Sequence, residues 1–210
     1  ALRNLFQFSA PRSDRLSKYI SEQYHWLRKT EVVETSETRD VAAHAAMMLM
    51  ESLREYRRPP HKRDKVHIGF AGGNTVRQVA EKLAEQLKRE AGDLPDTLVF
   101  HALTAGFDVS TPRTDTNAFL TYFLDSAIQV KTDFVMLHAP AMIPPGLMEK
   151  MFELPELKGP RQLVSELDII VTSASSISDK HGTLARAHPS KSEVAKLLKE
   201  DECEGDMLWL

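Results

Sequence analysis

Cysteine is all but missing from this 210-residue chain. Cys203 stands alone, which excludes an intrachain disulfide and suits a reducing compartment. Long hydrophobic runs are missing too: no apolar stretch approaches the roughly 20 residues of a membrane span. The start of the chain, with Arg3, Phe6 and Phe8, lacks the apolar segment of a secretory signal. A cytoplasmic protein with no membrane partner is therefore expected. Neither sign of charge dominates. The 27 Lys and Arg face 30 Asp and Glu, for a net charge of -3, so the balance proposes no nucleic-acid surface. No internal repeat or low-complexity segment is found. The eight histidines show no H-x-x-x-H or other ligand spacing and the carboxylates do not cluster, so neither a metal nor any other cofactor is expected. There is no G-x-S-x-G elbow, and Cys203 lies between Glu202 and Glu204, neighbours that disfavour its thiolate. Nucleophilic catalysis has no support.

What the chain does have is residues 65 to 83, K-V-H-I-G-F-A-G-G-N-T-V-R-Q-V-A-E-K-L. Val66, Ile68 and Phe70 alternate like one buried strand face, and Val76, Val79, Ala80 and Leu83 recur at helical spacing. The turn between them is Ala71-Gly72-Gly73-Asn74, and Thr75 opens the helix. The first N–H groups of a helix have no partner within it and lie at the positive end of its dipole, while paired glycines let the main chain come close to an oxyanion. The segment reads either as a phosphate cradle, with Asn74 and Thr75 as added donors, or as a tight strand-to-helix turn that needs positive φ. It is neither a P-loop nor the dinucleotide fingerprint.

The rest of the chain alternates strands and helices. Residues 1 to 12 are expected to be a linker or arm, and residues 13 to 210 one α/β domain. Ser13 is a plausible N-cap for a helix through Leu16, Ile20, Tyr24 and Leu27, and residues 31 to 35 read as a short strand. Thr38 caps a longer helix whose apolar face is Val41, Ala42, Ala45, Met48, Leu49, Ser52 and Leu53. Its Met cluster reads as packing filler. Strands are expected at 97 to 103, 134 to 138 and 168 to 172, with helical pieces at 147 to 154 and 162 to 167. Thr114 or Asp115 caps a helix through Phe119 and Phe123, and Ser173-Ala174-Ser175-Ser176 reads as a turn of small residues. This alternation argues for a mostly parallel sheet with helices on both faces. In such sheets the ligand crevice lies beyond the carboxyl ends of the strands. Gly72, Gly73, residues 101 to 104, His138 and residues 173 to 176 fall there.

Several polar residues have two readings. His44 on a helix and His67 within a strand are expected to be structural. His101 and His138 each end a predicted strand, where a structural role and a ligand contact both remain open. Asp115 is a cap or a ligand contact, and Asn117 is placed to meet a sugar hydroxyl. Arg57, Arg58, His61, Lys62, Arg63 and Lys65 form the only basic run. An exposed, solvated loop is its ordinary meaning, and a phosphate contact the alternative.

Taken in order, five segments carry a family resemblance: LSKYISEQYHWLRKTEVVET, IGFAGGNTV, TDTNAF, LHAPAMIP and DECEGDMLW. Over residues 15 to 210 they resemble the effector-binding domain of the SorC/DeoR-type sugar-responsive transcriptional regulators of bacteria. The resemblance implies a Rossmann-like α/β fold of the sugar-phosphate isomerase and CoA-transferase type, a phosphorylated sugar as ligand, and a homo-oligomer, dimer or tetramer. It places phosphate on Gly72, Gly73, Asn74 and Thr75. The sugar-facing positions become His101, Arg113, Asn117, His138, Ala139, Gly205 and Asp206. No helix-turn-helix fits before Ser13, so DNA would be met only through a domain absent from this chain. The family's glycine-rich turn after the D-I-I-V strand is replaced by the serine-rich one. At Leu210 the family pattern continues into elements that bring a lysine to the ligand, so the domain is expected to be incomplete at its C-terminus. The same fold also carries aldose-ketose isomerases and amino-sugar-phosphate deaminases. Asp108, Asp115 and Asp206 are too scattered to make their catalytic group, so sensing is expected rather than turnover. An orphan domain that keeps only oligomer contacts is the third reading.

Overall fold

The computed structural model describes residues 10–90, 92–104, 112–139, 146–176 and 205–207, with 175–176 and 205–207 described at the backbone only. In chain order the elements are α1 (Asp14–Gln23), α2 (Thr38–Glu55), β1 (Lys65–Phe70), α3 (Asn74–Arg89), β2 (Thr97–Ala102), α4 (Thr116–Leu120), β3 (Lys131–Val135), α5 (Met148–Phe152), α6 (Pro155–Gln162), β4 (Ile169–Val171), β5 (Ala174–Ser176) and β6 (Gly205–Met207). The first four strands form one parallel sheet in the order β3-β2-β1-β4. Apolar alternation builds it. Val66, Ile68 and Phe70 of β1 share a face with Leu98, Phe100 and Ala102 of β2, and all are buried in one core with the inner faces of α2 and α3. Phe123, in the helical turn after α4, stacks on Phe100 with ring centroids 3.9 Å apart, and Phe119 meets Phe70 edge-on. Offset and edge contacts of this kind add about 0.5 to 1.5 kcal/mol each beyond burial.

Five expectations change. Thr38 is the first residue of α2 and not its cap: Glu37 holds the N-cap position, no side chain caps the helix, and the Thr38 hydroxyl instead accepts from Gln78 of α3. Residues 31 to 35 make only a single bridge, Arg12 to Val33, because their partner segment contains Pro11, which offers a carbonyl to Glu34 N–H but no N–H in return. On α2 the buried residues are Ala42, His44, Ala46, Leu49, Met50 and Leu53, while Val41 is exposed. Small Ala42 and Ala46 take the inner face, and the Ser52 hydroxyl turns back to the carbonyl of Met48. Strand β3 begins at Lys131, three residues before the expected start at 134, because the register with β2 pairs Thr97 with Lys131. Finally, Ala174–Ser176 is not a turn: it pairs antiparallel with Gly205–Met207. Small residues extend as readily as they turn when a partner strand is supplied from far along the chain.

His44 is structural, as expected. It is buried with Nε2 3.2 Å from the carbonyl of Ala10 and Nδ1 3.5 Å from Glu31 Oε2. The basic run is an ion-paired loop at the amino end of β1, the far end of the strand from Gly72. Arg57 meets Asp96 at 2.9 Å, Arg58 meets Asp93 at 2.6 Å and Arg63 meets Asp168 at 3.0 Å. Asp168 is a clamp as well as a partner, since its Oδ2 accepts from the N–H of His67 at 2.9 Å and so holds the start of β4 to β1.

Candidate functional site

Strand β1 delivers the chain to the turn, and α3 carries it away. Gly73 occupies the N-cap position with φ 108° and ψ 162°, a conformation open to glycine and strained for any side chain. Its N–H donates to the carbonyl of Thr114 at 3.1 Å and its carbonyl accepts from Arg77. Among the described residues, nothing accepts from the N–H groups of Asn74, Thr75 and Val76, and no side chain caps the helix. These donors lie at the positive end of a 16-residue helix, where negative charge is favoured.

Gly72 answers to a different constraint. A Cβ there would lie 2.7 Å from Thr104 Oγ1, 3.4 Å from the Thr114 carbonyl and 3.6 Å from Thr116 Oγ1. Thr104 and Thr116 share a 2.7 Å hydroxyl contact, and Thr116 is wholly buried. The glycine pair thus divides its work: Gly73 supplies the backbone conformation and Gly72 the close approach of the β2 end and the α4 start.

Helix α4 is capped by Asp115, whose Oδ1 accepts from the N–H of Asn117 at 2.9 Å. Asn117 then reaches across to β3. Its Nδ2 donates to the carbonyl of Leu137 at 2.8 Å, and its Oδ1 accepts from the N–H of Leu137 at 3.1 Å. Those two bonds fix where His138 and Ala139 leave the sheet. His138 is exposed, and Ala139 packs against the core. Arg113 is exposed one residue before the carbonyl that holds Gly73.

The carboxyl ends of β1, β2 and β3 therefore gather Gly72, Gly73, Asn74, Thr75, Arg113, Asn117 and His138. Two expected ligand contacts also hold partners within the protein. Asn117 holds main chain, and His101, 1% exposed, has its Nε2 2.8 Å from His67 Nδ1. One nitrogen of His101 is thus engaged by a neighbouring strand. Gly205 and Asp206 pair with Ser176 and Ser175, which ties them to the segment that follows β4. Sequence reasoning missed Thr116 and Arg77, and placed Thr104 at the crevice without giving it a role. The Nε and one terminal nitrogen of Arg77 donate to Asn74 Oδ1 at 3.3 and 3.1 Å. The carboxamide of Asn74 is thereby turned with its oxygen toward the cation and its NH2 left as a donor. Helical spacing from Asn74 to Arg77 was the available signal.

No protein-family model and no curated protein matches the chain. Solved structures do. It superposes on the sor operon regulator of Shigella flexneri with a TM-score of 0.68 at 17% identity, over 92% of this chain and 70% of that one. A SorC family transcriptional regulator from Enterococcus faecalis gives a TM-score of 0.64 at 15% identity, over 91% and 71%. The fold is that of SorC-type regulators. The full-length sorbitol operon regulator SorC of Klebsiella pneumoniae is matched over 96% of this chain and 61% of that one, with a TM-score of 0.63 at 16% identity. The SorC-type fold puts the glycine turn where an open α/β sheet binds its ligands, beyond the strand carboxyl ends.

Proposed function

We propose that this chain is the ligand-sensing domain of a sugar-responsive transcriptional regulator and that its effector is a phosphorylated sugar. The observation that carries this reading is the set of open N–H groups at Asn74, Thr75 and Val76 behind a glycine pair, at the ligand-binding end of a SorC-type sheet. Phosphate sits on the turn from Gly72 to Thr75, with the Asn74 amide and the Thr75 hydroxyl as added donors. Arg113 and His138 supply polar contacts to the sugar from the rim, and Gly205 and Asp206 approach from the strand paired with β5. Asn117 and His101 support the rim. Ligand binding changes how copies of the protein associate, through unequal affinity for two arrangements. DNA is then contacted by a separate helix-turn-helix domain, in the cytoplasm.

The test is a thermal-shift and calorimetric screen of sugar phosphates against the matching free sugars at neutral pH. One ligand at 100 times its dissociation constant stabilises by about 2.7 kcal/mol. Folded Gly73→Val should lose that stabilisation, and its unchanged affinity would refute the placement of the phosphate. Sensing predicts saturation without product. Isomer, ammonia or C2 proton exchange detected by NMR would make the protein an enzyme instead.

A further inference from the structure

Among the described residues, two histidines lie behind the candidate site rather than in it. His67 on β1 and His101 on β2 face each other across adjacent strands, with Nδ1 and Nε2 2.8 Å apart and ring centroids 5.0 Å apart. A bond of this kind needs one nitrogen protonated and the other bare. The neutral pair satisfies it, and so does the pair with one added proton, in which an imidazolium donates to a neutral ring. Two added protons set N–H against N–H at a distance that fits only one hydrogen.

We propose that His67 and His101 form a proton-limited latch: the pair accepts one added proton, and a second drives the rings apart and frees the ends of β1 and β2. Direct backbone connections carry the effect to the candidate site. Phe70 lies three residues beyond His67, and its carbonyl accepts from the N–H of Leu103, two residues beyond His101. Thr104 follows, in contact with Thr116. The side chain of Leu103 also fills the space over Gly69, where a Cβ would lie 2.6 Å from it. A shift at the ring pair therefore moves the wall against which Gly72 is packed.

The surroundings favour this order of protonation. Burial pushes His101 down to about 4, and the charge of His67 presses in the same direction. His67 is lowered chiefly by burial. The Asp168 and Glu166 carboxylates just before β4 oppose that shift, while Lys65 and Arg63 add to it. His67 is the less buried ring and takes the first proton, and His101 resists the second. The latch rests on the imidazole geometry alone and needs no ligand.

The experiment is an acid titration of the ligand-free chain by NMR, following the histidine ring protons and the exchange of the Leu103 and Gly73 amides corrected for intrinsic rates. The expected result is two coupled ring titrations, His67 first. Protection at Leu103 should then fall by about tenfold per pH unit once the closed pair holds its one proton, as the open form takes up one more. His101→Gln, which keeps an amide partner for His67 but cannot charge, should hold that protection to lower pH by about one unit. His67→Gln provides the same test from the other strand. Independent titration of the two rings in the wild-type protein, or Leu103 protection lost at the same pH in either folded variant, would overturn the latch. Phosphate binding at neutral pH is measured separately and does not bear on the outcome.

Discussion

A single methyl group added at Gly72 tests the geometry of the site more directly than any change of charge. The new Cβ of Gly72→Ala would meet Thr104 Oγ1 at 2.7 Å, well inside ordinary carbon–oxygen contact. Thr104 has little freedom to withdraw, because its hydroxyl is bonded at 2.7 Å to Thr116, which is itself fully buried. Overpacking of this kind costs about 1 to 3 kcal/mol. Thr104→Ala alone removes the obstructing oxygen but orphans the buried Thr116 hydroxyl, a loss of about 1 to 3 kcal/mol. The double variant suffers the second penalty without the first. Its destabilisation should therefore fall short of the sum of the single variants by about 1 kcal/mol or more. Urea unfolding of the four proteins at neutral pH gives the cycle, and each kcal/mol corresponds to about 2 to 4 °C in Tm for a chain of this size. Additivity within about 0.5 kcal/mol, or a Gly72→Ala protein as stable as the parent, would show that the turn is not packed against Thr104.

Other substitutions probe the supports of the site. Asn117→Ala should cost about 1 to 3 kcal/mol in urea unfolding, because it leaves the N–H and C=O of Leu137 unpaired, and it should loosen the exchange of the Leu137 amide specifically. Asp168→Ala should cost about 1.5 to 3 kcal/mol through the lost acceptor for His67 N–H, the pair with the exposed Arg63 adding little. Asp115→Ala removes the cap of α4 and should cost about 1 kcal/mol, with Asp115→Asn recovering most of it. His101 sets a pH dependence of known sign. Its native value of about 4 lies below the ordinary 6.5, so the neutral ring favours the fold above pH 6.5 and stability is lost progressively toward pH 4. A stability curve flat from pH 7 to 4 would contradict it.

The glycine turn, its strand and its helix were legible because each obeys a local rule: alternation in β1, helical spacing in α3, and glycine where the chain must bend. The Asp115 cap was legible for the same reason. What escaped was decided by partners far away in sequence. Nothing near Ala174 announces that Gly205 will pair two residues from it, and β3 took its start from β2 rather than from its own apolar run. Asn117 looked like a ligand contact because a polar residue at a helix start beyond a sheet is often one. The partner it has within the protein, the main chain at Leu137, carries no side-chain signature at all. The His67–His101 pair required the register of two strands to be known before either ring had a neighbour.

The start of α4 works as a keystone. Three strand ends lean on it: the β1 turn through the Gly73 N–H to the Thr114 carbonyl, the β2 end through Thr104 to Thr116, and the β3 end through Leu137 to Asn117. In these contacts Thr114 and Leu137 take part with main-chain atoms only. Main-chain atoms of this kind come with nearly every residue type, whereas Gly72, Thr116 and Asn117 act through what is particular to each: a missing Cβ, a hydroxyl and a carboxamide. A mouth assembled in this way can change what it grips by altering its outer residues while its frame stays fixed.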